Sequence, residues 1–83
     1  MEAPELVVDD YIRVKKDAFV STNHEAMGRI DEVFRNRRGL DQYLYTITFI
    51  YGIADDKRNP DMEWGFDLEK VPAEEVFMKR LSE

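Results

Sequence analysis

Hydrophobic and polar positions alternate most cleanly between residues 43 and 53. Tyr43, Tyr45, Ile47, Phe49, Tyr51 and Ile53 share one parity; Leu44, Thr46, Thr48, Ile50 and Gly52 share the other. Nearly every residue is β-branched or aromatic, so the run predicts a long, twisted strand with one apolar and one mixed face. A strand of that length must be covered on its apolar side, which predicts a folded, β-rich domain. Ile12 and Val14 against Tyr11, Arg13 and Lys15 predict a half-buried strand over 11–16. Trp64, Phe66 and Leu68 against Glu63, Gly65 and Asp67 predict another over 63–68. On these parities the expected core is Ile12, Val14, Ile30, Ile47, Phe49, Phe66 and Leu68.

Punctuation between the periodic stretches is equally readable. Residues 1–8, with Pro4 and two glutamates, predict a loose lead-in. The cluster Ser21, Thr22, Asn23 and His24 marks a loop over 17–25, and Asn59-Pro60-Asp61 turns the charged loop over 55–62. Val71-Pro72-Ala73-Glu74-Glu75 opens a short helical turn, with proline at its first position and acids near its positive end.

The fold turns on residues 25–38, which support two readings. Thr22 and Glu25 form a capping box, Met27, Ile30 and Phe34 share a helical face, and Gly39 fits a helix stop. That reading gives an α+β domain, with a helix on a small antiparallel sheet. Against it, Gly28 costs a helix interior about 1 kcal/mol relative to alanine. Gly28-Arg29-Ile30 followed by Val33-Phe34 reads as a strand entered through a glycine kink, with a bulge near Asp31-Glu32. Residues 36–41 then turn a hairpin into the aromatic strand. The strand is preferred, because the aromatic strand needs a paired neighbour and a hairpin supplies one.

Length and composition narrow the class. Eighty-three residues make one domain with one small core. Cysteine is absent and His24 is the single histidine, so disulfides, thiolate zinc sites and histidine metal clusters are excluded; no cofactor or metal is expected. No apolar run approaches the roughly 20 residues that span a bilayer, and no leader opens the chain. A soluble, cytoplasmic protein is expected.

Twelve basic residues against 18 acidic give a net charge of −6, which suits a general phosphate-backbone binder poorly. The excess is uneven. Arg29, Arg35, Arg37 and Arg38 face only Asp31 and Glu32 in their stretch, so this segment is net positive in an acidic chain.

Strand, long loop, Gly28-Arg29-Ile30, hairpin, Tyr45-Thr46-Ile47-Thr48-Phe49, loop, Trp64-Gly65-Phe66-Asp67-Leu68 and a helical turn form a familiar order. With Tyr11-Ile12-Arg13-Val14 at its start, the chain resembles small SH3-like barrels of the Tudor and KOW layout. The resemblance implies an all-β, five-stranded barrel whose mouth is covered by Val76, Phe77 and Leu81. It also implies a binding module, since such barrels take peptides, nucleic acids or larger enzymes and seldom catalyse.

Candidate chemistry is sparse. His24 has no local nucleophile or orienting partner, which predicts a surface histidine. Asp55, Asp56, Asp61 and Glu63 lack the turn glycine of a calcium loop, and Lys57-Arg58 intrude. No phosphate-cradling glycine motif or nucleophile elbow occurs, so no enzyme is expected. A methylated cation would need an aromatic cage, for which Tyr51 and Trp64 with Asp55 and Asp56 are the candidates. A docking edge is expected at Arg29, Arg35, Arg37, Arg38 and Tyr43, residue types that dominate interface hot spots. The expected function is a non-catalytic protein-interaction module or accessory subunit, its partner another protein. A single-stranded nucleic-acid barrel using the arginine edge, an acidic mimic and a Tudor-like cage remain alternatives.

Overall fold

The computed structural model describes residues 5–35 and 43–82. Five antiparallel strands form one sheet: β1 (Tyr11–Val14), β2 (Met27–Arg35), β3 (Tyr43–Tyr51), β4 (Asp61–Trp64) and β5 (Leu68–Lys70). Their spatial order is β4-β3-β2-β1-β5, so β4 and β5 are the terminal strands and the sheet is open. A 3-10 turn, Gly65–Asp67, joins β4 to β5, and a short helix, α1 (Ala73–Leu81), follows.

Of the segment with two readings, Met27–Arg35 is a strand. β2 pairs with β3 along its whole length, and its register jumps between Ile30↔Ile47 and Glu32↔Thr46. Asp31 is therefore the bulged residue, as the polar pair at 31–32 predicts, and its carboxylate accepts the Thr48 hydroxyl. The capping-box helix is overturned: Glu25 takes a φ of +64°, which no helix accepts. The hairpin turn expected over 36–41 lies outside the described residues.

Gly28 sits where β2 crowds its neighbours, at a second register shift in the β2–β3 pairing between Met27 and Gly28. It faces Ile12 on one side and Phe49 on the other. A Cβ there would sit 2.5 Å from the Thr48 carbonyl oxygen and 2.9 Å from the Phe49 Cα. Only glycine lets the two backbones approach so closely.

The even parity of β1 and the odd parity of β3 meet over the main core. Ile12, Val14, Ile30, Tyr45, Ile47, Phe49 and Leu68 are buried there, joined by Ala26 and by Leu6. Of the lead-in expected to be loose, Leu6 is thus a core residue, and the adjacent backbone is fixed by Asp9 N–H donating to the Ile30 carbonyl at 2.9 Å. A second cluster of Met27, Val71 and Val76, with Tyr11, Ile50 and Tyr51 packed against it, lies on the opposite parity of β1. Val76 roots α1 there, and Phe77 meets Tyr11 edge-to-face at 5.5 Å. The helix therefore packs on the sheet's back face; Leu81, expected to cover the barrel mouth, is 82% exposed. Arg13 braces this layer, donating from Nε to Glu69 at 2.6 Å and from Nη1 to Glu75 at 2.9 Å.

One core assignment fails. Phe66, expected inside, is 41% exposed, because 63–68 is two short strands split by the 3-10 turn. The turn breaks the alternation, sends Phe66 outward and brings Asp67 in.

Candidate interaction surface

The sequence-based candidates disperse. Arg29 is exposed on β2, with its guanidinium 3.6 Å from Asp31. Arg35 is exposed at the end of β2 opposite Tyr43, which is half-buried against the main core. Arg37 and Arg38 lie outside the described residues. The expected cage does not assemble. Trp64 pairs with Leu44 and Tyr51 with Met27, at opposite ends of β3 and roughly 20 Å of strand apart. Tyr51 packs beside α1, while Trp64 stacks on Phe66 with ring centres 6.1 Å apart; Asp55 and Asp56 are exposed in a turn. His24 is exposed, and no group of three or more metal-ligating side chains converges among the described residues. No described helix is long and apolar enough to cross a membrane.

What the structure does assemble is an anchored loop. Asp67, 1% exposed, points its carboxylate at the backbone of a segment nearly fifty residues earlier. It accepts the N–H groups of Phe19 at 2.7 Å, Val20 at 3.0 Å and Ser21 at 2.9 Å. Each bond is charge-assisted, and together they fix three consecutive residues. Lys15 N–H donates to the Asp67 carbonyl at 2.8 Å, tying the loop's entry to the same residue.

A second layer lies beneath. Asn23 N–H donates to Ser21 Oγ at 3.1 Å, and Asn23 Nδ2 donates to Glu63 Oε1 at 3.2 Å. Burial pushes the Glu63 carboxyl above its ordinary range, and hydrogen bonds from Ser21 and Asn23 recover only part of that cost. The folded state thus favours protonated Glu63. Its stabilising contribution is complete below the unfolded pKa and is lost as pH rises through the higher folded value. Glu63→Gln keeps an acceptor for Asn23 without the buried charge. Thermal melts across pH should show the variant a few degrees more stable at neutral pH, with a flatter dependence through the acid range. A variant less stable than wild type at neutral pH would show that the carboxylate's hydrogen bonds outweigh its burial.

The outcome on the surface is an apolar tip on a fixed backbone. Phe19 is 89% exposed and Val20 53%. Their anchor is the residue after Phe66, so the loop backbone is tied to the 3-10 turn that also carries Phe66, which stacks on Trp64. A rigidly held, solvent-facing phenylalanine has no use in the protein's own core. It fits an anchor for another molecule.

Sequence reasoning places a loop over 17–25, as found, but misses its anchoring by Asp67. Asp67 stands on the polar parity of an expected strand, and Phe19 and Val20 sit in a polar stretch. An isolated Phe-Val pair inside a loop is the one signal the sequence offers.

Comparisons with protein-family models, curated proteins and solved structures return no match to this chain.

Proposed function

We propose that this chain is a non-catalytic protein-interaction module or accessory subunit that docks through the Phe19–Val20 tip and the neighbouring Phe66. The observation that carries the reading is the 89% exposure of Phe19 on a backbone held by three bonds to a buried carboxylate. An aromatic anchor fixed before binding loses little conformational freedom when it is buried, which is how small surfaces reach useful affinity. The finer fold reading is an SH3-like barrel. It is supported by the element order, by the register shifts of the β2–β3 pairing at Gly28 and Asp31, and by the tight turn linking β4 to β5. The lack of cysteine fits a cytoplasmic setting.

Phe19→Ser combined with Phe66→Ser should leave the circular dichroism spectrum close to wild type, since Phe19 is 89% exposed; Phe66→Ser alone, which gives up the stacking on Trp64, controls for any fall in melting temperature. In quantitative affinity purification from source cells, the double variant should lose the proteins that wild type enriches. Reversing Arg37 and Arg38 to glutamate tests the docking edge expected from the sequence. If that reversal abolishes recovery and the double variant does not, docking runs through the arginines. If wild type instead shifts labelled single-stranded DNA or RNA at low salt, the partner is nucleic acid.

A further inference from the structure

Residues 19–25 belong to the fold in an unusual way: no apolar side chain of theirs enters the core. Their buried residues are the polar Ser21 and Asn23, while Phe19 and Val20 face solvent. Core packing resumes only at Ala18 on one side and Ala26 on the other. The backbone is pinned near the far end, where Glu25 N–H donates to the Val14 carbonyl at 2.9 Å. Between those ends polar contacts tie the segment to the rest of the molecule. They are the Asp67 bonds, the Ser21 and Asn23 bonds to Glu63, and a 3.4 Å contact from Lys57 Nζ to Thr22 Oγ1.

We propose that Asp67 is the latch of a two-state loop. With the latch engaged, residues 19–24 hold Phe19 and Val20 in one arrangement; with it released, they open locally while the sheet stays folded. Opening draws no apolar side chain of residues 19–24 out of the core and forfeits the polar contacts named above, which water partly replaces, so it lies well below global unfolding in free energy. The carboxylate itself does not travel with the loop. It sits at the end of the 3-10 turn, next to Leu68 in the main core, and Asp67 is braced through its carbonyl by Lys15 N–H. The latch goes beyond the docking role and does not depend on it. Were Phe19 to bind nothing, the loop would still open this way. If Phe19 does dock, the engaged fraction scales the apparent affinity.

Native-state amide hydrogen exchange tests this on the isolated protein, with wild type and Asp67→Asn compared in low guanidinium. Wild-type amides of Phe19, Val20 and Ser21 should exchange through an opening that is insensitive to denaturant, while the amides of β1, β2 and β3 exchange through one that depends on it steeply. The substituted side chain retains one acceptor oxygen but no charge. It should speed exchange at the three loop amides roughly tenfold to a hundredfold while their exchange stays insensitive to denaturant; the strand amides register the same loss of native-state stability but keep their steep dependence. Loop amides that follow the same denaturant dependence as the strands in wild type would overturn the latch. So would loop exchange unaltered by Asp67→Asn, or loop amides of the variant that take on the denaturant dependence of the strands. Should the variant fail to fold, the wild-type dependence alone decides.

Discussion

Replacing Phe49 with alanine is expected to remove about 3–5 kcal/mol of stability, the usual cost of deleting a buried aromatic ring. Phe49 is 4% exposed on β3, on the parity shared with Tyr45 and Ile47, and its backbone faces Gly28 of β2. A domain of this size has on the order of 5–10 kcal/mol to lose. The variant should therefore melt far below wild type or populate the unfolded chain at room temperature. The neighbouring backbone is also tied by the side chain of Asn59, whose Oδ1 accepts Phe49 N–H at 2.8 Å and whose Nδ2 donates to the Phe49 carbonyl at 2.9 Å. Those bonds survive the substitution, so the loss reports packing and not strand pairing. A melting temperature unchanged from wild type would mean that the wrong face of β3 had been assigned to the core.

Gly28→Val is expected to be comparably damaging for the opposite reason. The added side chain has no space: its Cβ alone would approach the Thr48 carbonyl oxygen to 2.5 Å and Ile47 Cγ2 to 2.8 Å. Two of the nearest atoms belong to backbone, which cannot swing aside as a flexible side chain would. β2 and β3 must separate at the point where β2 also pairs with β1, costing about 3 kcal/mol or more. Chemical denaturation should show a lower midpoint, and Gly28→Ala should fall between the variant and wild type. A valine variant as stable as wild type would show that the strands tolerate a wider separation.

Much of the fold is legible in the sequence because it rests on period-two patterning. The parities of 11–14 and 43–51 pick out Ile12, Val14, Ile47 and Phe49, all buried in the structure. Gly28 and the polar pair at 31–32 point to the two irregularities in the β2–β3 pairing. The failures share a physical origin. Around Phe66 the chain leaves extended geometry for a 3-10 turn, and a three-residue turn leaves no periodic trace. Asp67 looks like a surface residue because acids usually are; its burial depends on three donors nearly fifty residues away. The cage of Tyr51 and Trp64 fails because closeness in the sequence says nothing of which strand pairs where. The open sheet depends on the relation of β4 to β5, which alternation cannot encode.

Site-specific photocross-linking tests the central claim most directly. A benzophenone amino acid placed at position 19 sits on the docking tip, and the same residue at position 81 provides a control on α1, where Leu81 is 82% exposed. In source cells, position 19 should yield a discrete adduct with one protein and position 81 should not, although both are open to solvent. An adduct at position 81 with none at position 19, or none at either, would contradict a docking role for the Phe19 loop.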